Sequence, residues 1–274
     1  MSSTEKTVDT GTQELLCSVA DGVATITLNR PDARNALSTP MSQALQAMLR
    51  ERNADPSVRV ILITGAGGAF CAGGDVKNMG DRRSPSITPE QRLKDMKIRH
   101  HGIGGQIVAS PKPTIAAIAG PAVGAGLAIA LACDIRIAGQ SAFLSGGYSK
   151  IGLSGDYGIA WLLTRTIGTS RAREMLFTSD RITAERALQI GLVNRMVADA
   201  ELAGAARTLA AQIADGPADA IRLIKENLNE AGVIDYPTAI DHEAERLVGV
   251  SASENHKEAV RAFVEKRKPV FNRA

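Results

Sequence analysis

Twice in its middle the chain runs from a strand into a glycine-rich turn, and this repeat limits the possible folds more than any other feature. Val58 to Thr64 is an apolar, β-branched run that enters Gly65-Ala-Gly-Gly-Ala-Phe-Cys-Ala-Gly-Gly74. Thr114 to Ala119 enters Gly120-Pro-Ala-Val-Gly-Ala-Gly126, then a small-residue helix over Leu127 to Ala132 and a strand at Asp134 to Ala138. Strands that alternate with helices in this way predict an α/β fold. Their intervals are unequal, which excludes a fixed-period solenoid. A turn of this kind leaves backbone N–H groups unpaired, and such groups bind an anion or an oxygen that becomes one during a reaction. Nucleotide readings fail on the residues. Gly65 to Phe70 lacks the last glycine of G-x-G-x-x-G, and neither turn is followed by Gly-Lys-Ser/Thr. The G-x-x-x-G-x-G of Gly120 to Gly126 lies mid-chain with no acidic residue ending the next strand, which argues against a dinucleotide site. Tight helix–strand packing is the structural alternative for either turn taken alone.

Before the first turn, residues 1–12 read as a disordered lead-in. Val23 to Leu28 is a strand stopped by Asn29-Arg-Pro-Asp, and Met41, Leu45, Met48 and Leu49 recur at helical spacing. Between the turns, residues 80–88 form a polar loop, and Thr88-Pro-Glu-Gln91 is a capping box with proline at the first helical position. Leu93, Met96, Ile103 and Ile107 supply the apolar stripe of that helix, with His100 set between Met96 and Ile103. Past residue 198 strand signals vanish, and helices are expected at 199–213, 217–230, 237–248 and 252–266. The expected division is an α/β core over 13–198 and an all-helical region over 199–274.

Composition narrows the class further. A chain of 274 residues with 44% hydrophobic and 22% charged side chains buries enough surface to fold without metal or disulfide staples. Cys17, Cys71 and Cys133 are odd in number and widely spaced, as in a reduced intracellular protein. The polar, mixed-charge N-terminal segment reads as no targeting signal, and no apolar run reaches the ~20 residues of a membrane span. A cytoplasmic protein without membrane contact is expected. A net charge of +3 and 3% aromatics, without a basic stripe, argue against nucleic acid as a partner.

Residues within and around the turns carry a family resemblance. Phe70-Cys-Ala-Gly-Gly-Asp-Val76 resembles the F-x-A-G-x-D-[IV] segment of the crotonase (enoyl-CoA hydratase/isomerase) superfamily, and Gly124-Ala-Gly-Leu-Ala-Ile-Ala-Leu-Ala-Cys-Asp-Ile135 resembles its second signature. Thr27-Leu-Asn-Arg-Pro-Asp-Ala-Arg-Asn-Ala-Leu37 and Phe263-Val-Glu-Lys-Arg-Lys-Pro269 are similar to its opening and closing segments. The resemblance implies a crotonase-like spiral of ββα units that binds acyl-CoA, with a helical C-terminal region that builds trimers or pairs of trimers. It implies no metal, and no cofactor beyond the coenzyme A of the substrate. Two main-chain N–H groups, those of Gly74 and Ala125, are implied as the hole that holds the thioester oxygen as charge develops on it, a stabilisation of ~3 kcal/mol per donor. Asp75 reads as a helix cap rather than a catalyst.

Hydratases of the superfamily use two glutamates, and this sequence matches neither. Ala128 stands at the first place; Tyr148, or Gly147 if the spacing shifts by one, stands at the second. Ordinary hydration is therefore not expected. Asp156, in Ile151-Gly-Leu-Ser-Gly-Asp-Tyr-Gly158, matches the aspartate of members that form an enolate with a single base. One carboxylate can remove a proton at one carbon and return it two carbons away, which suffices for moving a double bond. Capping of the following helix is the alternative role for Asp156. In a related chlorobenzoyl-CoA dehalogenase the corresponding aspartate attacks the substrate, and His101 matches the histidine that activates water there. Packing or solvation are the competing roles for His100 and His101. A hydrolase or dehalogenase-like enzyme, an unusual hydratase and a non-catalytic acyl-CoA-binding subunit stand as alternatives.

For the coenzyme, the resemblance implies that Arg34 contacts the nucleotide end, that carbonyls near Ala72 meet the adenine, and that Phe263 and Lys266 reach CoA from the last helix, in some members across a subunit boundary. Lys257, Arg261, Arg267 and Lys268 are equally well read as a solvated face.

Overall fold

The computed structural model describes residues 5–75 and 88–272. Three antiparallel strands open the chain: β1 (Lys6–Val8), β2 (Leu15–Ala20) and β3 (Val23–Leu28). The expected disordered lead-in is thus corrected in part. Lys6 to Val8 bonds along the edge of β2 through its backbone, which needs no apolar side-chain pattern. A 3-10 turn (Pro31–Ala33) and helix α1 (Thr39–Ala54) follow, then β4 (Val60–Gly65). The polar loop expected at 80–88 lies almost wholly outside the described residues. Helix α2 (Pro89–His100) starts on Thr88, whose hydroxyl accepts the Gln91 N–H as the capping box requires. One turn of π-helix (His101–Gly105) leads into α3 (Gln106–Val108).

The second glycine turn is framed by β5 (Thr114–Ile118), a short strand β6 (Pro121–Val123) and α4 (Ala125–Ala132). Then come β7 (Ile135–Gly139), β8 (Phe143–Ser145), α5 (Ile159–Ile167), α6 (Thr169–Thr178), β9 (Ile182–Thr183), α7 (Ala184–Gln189) and β10 (Arg195–Val197). Helices α8 (Leu202–Ala214), α9 (Ala218–Glu230), α10 (Tyr236–Ser251) and α11 (Glu254–Val264) complete the chain.

Seven strands form the main sheet in the order β1-β2-β3-β4-β5-β7-β10, parallel from β3 onward. β6, β8 and β9 form a small second sheet. Leu37 pairs with Gly74 and Cys71 with Ala122, so the segments after β3 and β4 run beside this second layer. Each turn of the chain therefore lays one strand in the main sheet, one extended segment in the second layer, and continues toward a helix. That is the spiral of ββα units.

Period-two alternation divides the core. Ile26, Ile61, Ile63, Ala116 and Ile118 face α1 and α4, whereas Val60, Leu62, Ile115, Ala117 and Ile137 face α8. Leu202, Ala206, Leu209, Ala210 and Ala214, one stripe of α8, cover that second face. The helices past residue 198 thus differ among themselves. α8 is part of the sheet's packing, while α9 to α11 bury only Lys225 and Ala262.

The stripe expected on the helix after Thr88 is corrected. Ile103 and Ile107 are fully buried, but Leu93 and Met96 are 54% and 44% exposed and α2 buries no residue. The helix enters the core only from its π-turn onward.

Candidate active site

Close approach of the two glycine turns builds one wall of the site. All eight residues of α4 are buried, and small side chains let its first turn meet the Phe70–Gly74 segment. A Cβ on Gly126 would lie 2.2 Å from the Cys71 carbonyl oxygen, so only glycine fits. Gly73, with φ +99°, holds its Cα against Val123: a Cβ there would lie 2.9 Å from the Val123 oxygen and 3.7 Å from the Ala125 nitrogen. Among the described residues no acceptor takes the N–H of Gly74 or of Ala125. Ala125 is the first residue of α4, so its N–H belongs to the unpaired set of a helix start.

Asn35 holds the first turn in place. It is fully buried with φ 57°, donates its amide to the carbonyls of Ala66 and Ala69 at 2.9 and 2.8 Å, and accepts the Arg30 N–H at 2.8 Å. Sequence reasoning did not single it out, although a polar residue beside Asn-Arg-Pro-Asp was the available signal. Arg34 and Ala72 are brought together: the Ala72 N–H donates to the Arg34 carbonyl at 2.9 Å, and the Arg34 side chain is exposed. Asp75 is buried and ion-paired with Arg30 at 3.2 Å. The helix it was expected to cap would begin outside the described residues. The Cys71 thiol is wholly buried, which pushes its pKa up to about 12 and leaves it a neutral wall atom. Cys17 and Cys133 are likewise buried and unpaired.

Beside this wall sit the titratable groups. Tyr148, one of the two residues read at the second glutamate place, is buried here. Its ring lies beside Gly124, with Cζ 3.7 Å from where a Cβ would stand. Its hydroxyl donates a short hydrogen bond to Asp156 Oδ1. Ala128, at the first glutamate place, is fully buried and apolar. The capping alternative for Asp156 is not what the structure holds. α5 begins at Ile159 behind Gly158, with no side-chain cap. The loop leading there turns through left-handed residues at Gly152, Gly155, Tyr157 and Gly158. Burial raises the Asp156 pKa, opposed by the Tyr148 hydroxyl and by the nearby charges of His100 and Arg99. Burial also pushes the Tyr148 phenol far up, so it remains a neutral donor.

His100 and His101 divide as the sequence did not foresee. His101 is exposed, whereas the His100 ring packs on Tyr157, with centroids 4.4 Å apart, and interacts with the Asp156 charge. The π-turn explains this placement: one extra residue in the turn swings the helix so that His100 faces the loop and Gly104 packs against Tyr157.

Phe263 and Lys266 lie elsewhere. Phe263 is 85% exposed near the end of α11, and no hydrogen bond or ion pair among the described residues ties either to Arg34 or Ala72. Around them, Arg267 is held by Glu258 and Glu265, each at 2.6 Å, and Lys257 by Glu254 at 2.7 Å. Those two cations are internally paired. No group of His, Cys, Asp and Glu among the described residues is arranged to hold a metal, and no described helix is long and apolar enough to cross a membrane.

Known proteins match this arrangement along nearly the whole chain. A 1,2-epoxyphenylacetyl-CoA isomerase of Escherichia coli is 36% identical over 260 residues, 94% of this chain and 97% of that protein. A short-chain-enoyl-CoA hydratase of Clostridium acetobutylicum is 34% identical over 252 residues, 90% of this chain and 92% of that protein. The crystal structure of an enoyl-CoA hydratase from Bacillus anthracis superposes with a TM-score of 0.88 at 33% identity, covering 94% of this chain and 99% of that one. The enoyl-CoA hydratase/isomerase family profile matches residues 18–274. With the spiral of ββα units and the paired glycine turns, these matches establish that the chain belongs to the enoyl-CoA hydratase/isomerase family, enzymes of the crotonase fold.

Proposed function

We propose that the protein is an enoyl-CoA isomerase that moves a double bond through a thioester dienolate, with Asp156 as its single base. The observation that carries this reading is the pairing of Asp156 with Tyr148 opposite an apolar Ala128. Hydration needs one group to activate water and another to protonate the α-carbon. Here one carboxyl stands where the family resemblance expects acid–base work, and its partner is a phenol held neutral. The Gly74 and Ala125 N–H groups take the thioester oxygen and gain strength as it becomes an enolate, ~3 kcal/mol each. Asp156 removes a proton from the α-carbon on the oxygen that Tyr148 leaves open and returns it at the γ-carbon. Its raised pKa suits a base that must give the proton back. The reaction requires no cofactor beyond the coenzyme A carried by the substrate.

Arg34 and the carbonyls near Ala72 take the nucleotide end of CoA. Phe263 and Lys266 reach it from a neighbouring copy, in a homotrimer or pair of trimers whose contacts cover exposed side chains such as Tyr236, Leu247 and Val248 of α10. The test is Asp156→Asn. Exchange of α- and γ-protons with deuterated water, and turnover of 3-enoyl-CoA esters, are expected to fall by roughly 10²- to 10⁴-fold. Full turnover by a folded Asn variant removes Asp156 as the base.

The interaction of His100 with Asp156 favours one second reading, a hydrolase or dehalogenase-like enzyme. In it the Asp156 carboxylate attacks the substrate carbon that bears the leaving group, expels that group as an ester forms, and is regenerated when water hydrolyses the ester. A covalent Asp156 ester trapped during turnover and detected by mass spectrometry would replace the isomerase with it.

A further inference from the structure

Besides the buried, neutral Cys71 thiol, Tyr148 and His100 are side chains near Asp156 with a transferable proton, and the isomerase reading uses only Tyr148. Tyr148 occupies Oδ1. His100, at the end of α2, approaches from the other side closely enough for each group to shift the other's proton affinity. No hydrogen bond joins His100 and Asp156 in the unliganded chain, and catalytic hydrogen bonds of this kind tighten only when substrate is bound. The His100 Nε2 is closed to solvent and has no partner among the described residues, while the residue as a whole is only half-buried. Native structures keep few such orphaned atoms, and those they keep have a reason. The ring is held on Tyr157, the residue next to Asp156. An imidazole in this position has one nitrogen closed to solvent, while the residue as a whole is half-buried.

We infer that His100 is a proton-relay residue for Asp156, carrying the substrate-derived proton from the half-buried carboxyl to solvent. The inference rests on Asp156 being the base. As the α-carbon C–H bond breaks, its electron pair stays with the dienolate and Asp156 takes the proton. That proton returns to the γ-carbon, or Nε2 of neutral His100 accepts it. The resulting imidazolium releases the proton on Nδ1 to water, and the same steps in reverse deliver a solvent proton to Asp156 and then to the γ-carbon. Nothing is oxidised or reduced, and every proton is accounted for. Burial lowers the proton affinity of the imidazole and raises that of the carboxyl, which draws the two together and eases transfer between them. The other groups around the pair are Arg99 and His101 on the helix, Tyr148, Tyr157 and the buried Cys71 thiol.

The experiment follows a label. A 3-enoyl-CoA deuterated at the α-carbon is converted in ordinary water, and deuterium at the γ-carbon of the product is measured by mass spectrometry. The wild-type protein is expected to lose most of the label. His100→Phe and His100→Gln are both expected to retain roughly fivefold more of it, because neither side chain can accept and release a proton. Glutamine preserves polarity and approximate size, so recovery of wild-type label loss in that variant would mark a structural role and overturn the relay. Equal label loss in all three proteins, or full retention by the wild type, also overturns it while leaving Asp156 as the base. Absence of proton transfer in the wild type, unchanged by Asp156→Asn, overturns the isomerase reading and the relay together.

Discussion

The two sides of the candidate site are built by opposite means. On one side the proposed chemistry belongs to the main chain: the N–H groups of Gly74 and Ala125, set by buried turns and a fully buried helix. On the other it belongs to the side chains of Tyr148, Asp156 and His100, which reach in from a glycine-rich loop and from a helix that leaves the body. A backbone donor is indifferent to which small residue carries it, so its position depends on packing alone. A side-chain base depends on residue identity and on the local field. On this reading one fold can keep its main-chain half while its side-chain half changes; relatives of similar identity carry both hydratase and isomerase names.

Substitutions at the two sides sharpen this contrast. The largest effect is expected from Gly126→Ala, whose new methyl would meet the Cys71 carbonyl oxygen at 2.2 Å and the Cys71 Cβ at 2.7 Å. A destabilisation of about 3 kcal/mol is expected, read as a Tm lower by about 6–12 °C and loss of turnover. Gly204→Ala, the same change in α8 with open space around it, is the control. It is expected to raise stability by about 0.5–1 kcal/mol. Equal effects of the two would break the claim that close approach fixes the main-chain side.

Tyr148→Phe is expected to leave the fold intact and lower kcat/KM by roughly tenfold, the value of a hydrogen bond to a charged group. It also shifts the pH profile. Asp156 works as a base only when ionised, and activity falls as pH drops through its pKa. Burial already raises that pKa, and the Tyr148 hydroxyl opposes the rise. Without the hydroxyl the acid limb moves to higher pH. An unmoved limb would show that Tyr148 does not act on Asp156.

The smallest effect belongs to the CoA end. Lys266→Ala is expected to raise KM for CoA esters several-fold, within the ~1 kcal/mol of an exposed ion pair, and to leave KM for truncated pantetheine esters unchanged. Equal changes for both would remove Lys266 from the phosphates.

Much of the framework was legible in the residues. Alternating apolar residues in 23–28 and 58–64, the proline-led capping box at Thr88 and the glycine turns each follow local rules, and the corresponding elements formed within a few residues of their expected ends. The edge strand Lys6–Val8 escaped because its pairing is a backbone matter. The exposed face of α2 escaped because Leu93 and Met96 have the spacing of a buried stripe, and spacing does not say whether a partner is present. In the site, Tyr148 was visible as a residue standing where a glutamate was expected, and Asp156 as a match to the aspartate of single-base members. Their hydrogen bond, eight residues apart around a left-handed loop, was not.

The order of residues by itself determined the alternation of strands and helices and the two glycine-rich turns, since periodicity and the lack of a side chain act locally. Only the tertiary structure decided that His100 rather than His101 faces Asp156, and that Asp156 meets Tyr148 instead of capping α5. Those outcomes depend on one extra residue in a helical turn and on the path of a loop, where small changes in backbone angle redirect whole side chains.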